Sequence, residues 1–224
     1  MSDPRHTAFL KMIDELHARA LIDVEGAREI WLIRHADAYV GLETLSHGRV
    51  DPPLSDLGRE QARRLAARLA PVRFDAIWAS DLRRSRETAE QIAGGRSLPV
   101  VVDSRLREVR THWDEGRIEL LNEPGVYPFP EPEADVLARM TAVLADVVAG
   151  LEGASGNPAR AAAVGHNAAI GIYVSSVLGL RWGQLRVLPQ YTSVSVLVIK
   201  DEQIVVRSIA DATHLAAEEP GFGP

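Results

Sequence analysis

Two apolar runs in this chain end alike, and that shared ending constrains its fold more than any other feature of the sequence. Residues 31–36 read WLIRHA and residues 161–168 read AAAVGHNA. Each is a strand-length run without the polar alternation of a half-exposed strand, which is how a strand buried on both faces reads. A buried strand has no folding reason to stop on Arg34-His35 or on Gly165-His166. In open α/β sheets the ligand crevice lies beyond the carboxyl ends of the parallel strands. If the two runs are parallel neighbours, His35 and His166 meet in that crevice. A single histidine after a strand is ordinarily a surface or packing residue. Two in matching places point to a site without naming a reaction.

The rest of the chain supplies the alternation such a sheet needs. Phe9, Leu10, Met12, Ile13, Leu16 and Ala20 recur at helical spacing, which predicts an amphipathic helix over 5–20 ahead of the first strand, Glu29–Arg34. Residues 37–54 carry turn formers and no period, so they read as a long loop of the kind that is often functional. Ser55 or Asp56 can cap a helix over 57–70, whose Leu57, Ala62, Leu65, Ala66 and Leu69 form one apolar stripe. Strands follow at Phe74–Ser80, Pro99–Val102 and Arg160–Val164, and helices at 82–94, 133–150 and 167–179. Residues 104–131 read as an irregular excursion, and two apolar runs flanking Asp201-Glu202 read as a β-hairpin. Strands alternating with helices predict an α/β fold: a three-layer α/β/α sandwich, mostly parallel, with an antiparallel edge.

Composition narrows the function classes. A chain of 224 residues, 46% hydrophobic, suits one globular domain. A net charge of -6 offers nothing global to attract nucleic acid or an anionic membrane, so any anion site must be a local cluster. With no cysteine, thiolate metal sites and a cysteine nucleophile are excluded. No secretory signal and no membrane-spanning run is expected, and a cytoplasmic location is the default. Only Lys11 and Lys200 are lysines, so arginine abundance reflects usage across the chain, and individual arginines must be argued from position.

Two further strand ends add to the histidines. After Ser80, residues Arg83, Arg84 and Arg86 open a helix, where free N–H groups and the helix dipole favour anions over cations. Arg83 and Arg86 suit a solvated face, while one arginine turned inward would meet a bound anion. Glu108, between Leu106 and Val109, follows the third strand. Alone it would be a surface glutamate.

At these segments the chain resembles the histidine phosphatase superfamily, the phosphoglycerate mutase-like group. Arg34-His35-Ala36 stands where the family has Arg-His-Gly. Gly48-Arg49-Val50-Asp51-Pro52-Pro53-Leu54-Ser55 is similar to its Gly-x-x-Asp-x-Pro-Leu-Ser/Thr, and Gly58-Arg59-Glu60-Gln61-Ala62 to its Gly-x-x-Gln-Ala. Ser80 to Ala89 nearly reproduces Ser-x-Leu-x-Arg-Ala-x-x-Thr-Ala, Leu106-Arg107-Glu108 fits Leu-x-Glu, and Val164-Gly165-His166 fits Val-Ser-His. A terminal His214-Leu215 pair also recurs. Each motif is weak alone; seven in collinear order, over about residues 29–215, are specific. The resemblance implies a catalytic domain over 29–217, with a helical extension at 1–28 and a tail at 218–224.

It also implies roles. His35 would be the nucleophile, forming a phosphohistidine; Arg34, Arg84 and His166 would surround the phosphoryl oxygens; Glu108 would act as acid and then base. Arginines would supply the positive charge, so no metal and no cofactor is expected. The partner would be a small phosphorylated metabolite. His47 and Gly48 would contact substrate from the long loop, and His112, Trp113 and Glu115 would line the mouth, with Glu115 a reserve acid. Where mutases of the family hold substrate with polar loop residues, an ungapped count places Ala38, Gly41 and Leu45, which favours a phosphatase over a mutase. Phe129 to Ala134 replaces a Pro-x-Gly-Glu-Ser motif. The Arg-His-Ala-Asp start also resembles the smaller phosphohistidine phosphatases. A mutase and a non-catalytic phosphate-binding regulator remain the alternatives. The first helix is placed to cover its own domain or a neighbour's, which leaves a homo-oligomer open.

Overall fold

The first helix forms where helical spacing predicts it. In the computed structural model, which describes residues 4–39, 51–111, 130–180 and 187–215, α1 runs Pro4–Arg19. β1 is Arg28–Arg34, α2 Asp56–Leu69, β2 Ala76–Ala79, α3 Arg83–Ala93 and β3 Val100–Val102. A 3-10 turn at Ser104–Leu106 precedes α4 (Glu133–Ala149), β4 (Ala159–Gly165) and α5 (Asn167–Val177). The hairpin of β5 (Val194–Lys200) and β6 (Gln203–Asp211) ends the order.

The six strands form one sheet, ordered β3-β2-β4-β1-β5-β6. β1 and β4 are parallel neighbours in a register that sets Arg34 opposite Gly165. β2 flanks β4 in parallel, and β5 pairs antiparallel with β1, so the antiparallel part comprises β5 and the edge strand β6. Side chains alternate between the faces of a strand, and the two faces carry separate cores. Ile30, Leu32, Ala161, Ala163 and Leu197 pack with Val136, Met140 and Leu144 of α4 and Ile170 and Tyr173 of α5. Ile33, Ala162, Val164, Ile77 and Val194 pack with Leu65 and Leu69 of α2 and Ala89 and Ile92 of α3. The central strands are thus buried on both sides, which is why they read as unbroken apolar runs.

Local chemistry explains where elements start. Ser55, one of the two expected caps, accepts the Gly58 N–H at 2.9 Å and opens α2. Asp201, in the hairpin turn, takes the positive φ of 53° that short turns between twisted strands demand. The end of the sheet away from Arg34 holds a buried carboxylate, Glu29, paired with Arg160 at 2.6 Å and with Arg207. The apolar residues of α1 do not form a core stripe: Phe9, Leu10, Met12 and Leu16 stay about half exposed.

Candidate active site

The parallel register of β1 and β4 delivers His35 and His166 to the same end of the sheet. Their rings lie 5.0 Å apart between centroids. The ladder runs one step past the strands, with His35 N donating to Gly165 O at 3.0 Å and Ser80 N to Val164 O at 2.9 Å. Arg84, in the first turn of α3, faces inward between the histidines, while Arg83 and Arg86 are exposed and Arg83 pairs with Glu87 at 2.6 Å. Arg84 Nε donates to His35 Nε2 at 3.1 Å, and its Nη2 lies 3.3 Å from His166 Nδ1.

These contacts decide the tautomers. His35 Nδ1 lies 2.6 Å from the Ala36 carbonyl, an acceptor only, so the proton sits on Nδ1. Nε2 then carries the lone pair, aimed at Arg84. His166 Nδ1 faces the donor Arg84 and so accepts, and its Nε2–H donates to Ser85 Oγ at 3.2 Å. Burial is the main reason both imidazoles titrate well below the ordinary histidine value, reinforced by the Arg84 and Arg34 cations. Both are neutral at pH 7.

Family-type motif residues act here as scaffold. The main chain after His35 is clamped at two N–H groups: Ala36 N donates to Thr88 Oγ1 at 3.1 Å and Asp37 N to Gln61 Oε1 at 2.9 Å. A Cβ on Gly58 would lie 1.8 Å from the Asp37 carbonyl oxygen, so this helix approach requires glycine. Asp37 O accepts the Ser55 N–H at 3.2 Å, and the Asp37 carboxylate takes a short bond from the Ser55 hydroxyl.

Glu108 reaches the same end of the sheet at the N-terminus of α5. Its Oε1 accepts Val109 N at 2.9 Å and Ala169 N at 3.0 Å, and its Oε2 accepts Ala168 N at 3.3 Å. Arg139 of α4 holds the segment beneath it, donating to the carbonyls of Arg105 and Arg107 at 2.7 Å and of Glu108 at 3.2 Å, and pairing with Glu131 at 2.7 Å. Burial opposes the charge on Glu131, but the Arg139 and Arg110 donors outweigh it and keep that carboxyl below its usual value.

Arg34 sits against the last wall of the site. Its guanidinium lies 3.9 Å from the Tyr191 ring centroid, and Nη1 donates to Pro189 O at 2.9 Å. Sequence reasoning missed Tyr191, Ser85, Thr88 and Arg139. Arg139 left one trace: a cation beside the buried stripe Val136, Met140 and Val143. Of the expected site residues, Arg34, His35, Arg84, Glu108 and His166 come together, whereas His47, Gly48, His112, Trp113 and Glu115 lie outside the described residues, as do Gly41 and Leu45. Ala38 is described and pairs as an isolated bridge with Leu54. Among the described residues, no three His, Asp or Glu side chains converge as a metal site requires.

The arrangement offers a neutral imidazole lone pair, two guanidinium groups and a carboxyl group at one strand-end crevice. A sequence model of the histidine phosphatase superfamily (branch 1) matches residues 30–212. The chain is 31% identical over 210 residues to a protein of Enterobacter sp. named probable phosphoglycerate mutase GpmB, covering 84% of this chain and 95% of that one. It is similar to the solved structure of Bacillus stearothermophilus YhfR, with a TM-score of 0.67 and 26% identity over 84% of this chain and 98% of the other. It is similar also to mycobacterial glucosyl-3-phosphoglycerate phosphatase, with a TM-score of 0.65 and 27% identity over 81% and 96%.

Proposed function

The chain belongs to the histidine phosphatase superfamily, and we propose that within it the protein is a phosphomonoester hydrolase working through a phosphohistidine on His35. One observation carries the reading: the Ala36 carbonyl holds the His35 proton on Nδ1, so the Nε2 lone pair faces the two-histidine, two-arginine crevice.

A phosphomonoester carries two negative charges and a poor leaving group, so water attacks it slowly. His35 Nε2 attacks phosphorus in line with the departing oxygen, the P–O bond breaks as the N–P bond forms, and Glu108 gives the alkoxide its proton. The Arg84 N–H groups that cap both histidines turn to the phosphoryl oxygens, and Arg34 holds them from the Tyr191 side. Bidentate guanidinium forks suit that planar array of oxygens. Water then attacks the phosphohistidine, Glu108 takes its proton, and His35 leaves as the neutral imidazole it was. Arg34 is held in place before substrate arrives, so on its side little reorganisation is required as charge develops.

The similarity to a phosphatase at 27% identity supports hydrolysis; the relatives named as mutases keep phosphotransfer between sugar acids as the competing reading. Ala38, where mutases of the family carry a polar substrate contact, weighs against transfer.

The test is a panel of small phosphomonoesters, with p-nitrophenyl phosphate, and 3-phosphoglycerate with and without bisphosphate. Hydrolysis is expected to persist in EDTA, to disappear in His35→Ala and to pass through an acid-labile phosphoenzyme. Net isomerisation to 2-phosphoglycerate would establish the mutase instead, and phosphate binding without turnover a regulatory protein. Glu108→Gln is expected to slow poor leaving groups more than good ones; an equal effect on both would remove its acid role.

A further inference from the structure

The turn at residues 189–193 does more than close the site. It supplies both main-chain and side-chain anchors of Arg34. Arg34 N donates to Ser193 O at 3.2 Å, and Thr192 N donates to Arg34 O at 3.1 Å, with His35 O at 3.4 Å. The guanidinium takes the Pro189 carbonyl and the Tyr191 face. The turn holds this shape through Thr192, a buried β-branched residue at φ 56°, in a region such side chains rarely adopt. A conformation of that kind persists only when its surroundings impose it.

A chain of hydrogen bonds lies behind the turn. His214 Nε2 is 2.9 Å from Thr192 Oγ1, and His214 Nδ1 is 3.1 Å from Arg68 Nη1 at the end of α2. Arg68 can only donate, so Nδ1 accepts and Nε2–H donates to Thr192. The Thr192 hydroxyl spends its own hydrogen on Tyr191 O at 2.7 Å. The chain of bonds therefore runs one way, from Arg68 through His214 and Thr192 to the main chain of Tyr191. Asp211 fixes Arg68 at 2.5 Å.

We propose that His214 is a positioning residue for Arg34: it locks Thr192 in the left-handed turn and thereby sets the guanidinium where it binds a phosphoryl group. This rests on the reading of Arg34 as a phosphate ligand, but not on turnover. His214 touches no reacting atom.

The test is equilibrium binding of inorganic phosphate by calorimetry, which reads the clamp without requiring hydrolysis. His214→Ala is expected to weaken phosphate about tenfold, as removal of an orienting partner behind a ligand does. His214→Gln, which keeps a donor and an acceptor, should recover most of that loss. Thr192→Val, lacking only the hydroxyl, should weaken binding in the same direction and covers the case in which His214→Ala does not fold. In an Arg34→Ala background, adding His214→Ala should cost nothing further, because neighbours acting through one group are not additive. Equal weakening in both backgrounds, or unchanged affinity in folded His214→Ala and Thr192→Val, overturns the proposal. A wild-type chain that binds phosphate, shows the non-additivity and hydrolyses nothing upholds the positioning role and removes the hydrolase reading alone.

Discussion

His166 shows how a single residue's state depends on what fills the crevice. Burial, Arg84, His35 and Arg34 all disfavour its charged form. A bound dianion adds two negative charges to that positive surrounding and favours the protonated imidazole. At pH 7, binding of sulfate, which carries no titrating proton there, should take up a proton at His166. The enthalpy of sulfate binding should accordingly vary with the ionisation enthalpy of the buffer, and the variation should shrink in His166→Asn. An enthalpy independent of buffer in the wild type would refute it. In the proposed reaction His35 needs no base to deprotonate it at neutral pH, since burial and the Arg84 and Arg34 cations hold its titration well below the ordinary value.

At the scale of elements, the contact of α2 with the segment after β1 decides whether His35 is held. Gly58 lets the helix start against the Asp37 carbonyl, and Gln61, one turn on, bonds the Asp37 N–H. Gly58→Ala places a methyl where main chain already is, and main chain cannot swing aside as a side chain can. The expected cost is about 3 kcal/mol, the upper range for overpacking, with kcat/KM down about 100-fold from a displaced His35. Chemical denaturation and kinetics on p-nitrophenyl phosphate read the two effects; a variant of normal activity would show that the approach is not rigid. α1 predicts the opposite. Its large apolar side chains are half exposed, and the bond from Gln203 Nε2 to Arg19 O at 2.5 Å is at its last residue. Removing residues 1–18 should therefore leave phosphate affinity unchanged and the thermal midpoint within a few degrees; a collapse of either would show that α1 supports the sheet.

For the whole molecule, the buried His35 and His166 and the half-buried His214 dominate the acid response. His214 is pushed down to about 4, chiefly by burial and then by Arg68 and Arg64, with Asp211 opposing, and His35 and His166 also lie well below 6.5. Between about pH 6.5 and 4 the unfolded chain binds protons that the folded chain refuses, so stability rises with pH across that window and is lost on acidification. Denaturant midpoints at pH 7, 6 and 5 should fall in that order, and the His214→Gln variant should fall less steeply. A flat profile would mean that the histidines are solvated in the folded chain. Much of this molecule was legible beforehand. Strand and helix order follows from apolar period, which is local information, and Arg34, His35 and His166 stand out because polar side chains at the ends of buried runs are chemically odd, whereas Arg84 and Glu108 are singled out only by the resemblance to the family's motifs. What could not be read were contacts between distant segments. Arg34 meets Pro189 across 155 residues and Arg68 meets His214 across 146, and nothing in the local pattern of either partner marks the meeting. The sequence by itself determined which elements form and which side chains carry charge to the sheet end. Only the tertiary structure decided which nitrogen of His35 bears its proton, that Glu108 rests on the amides of α5, and that Arg34 is held by the 189–193 turn, because each depends on where a donor or acceptor from another segment comes to lie.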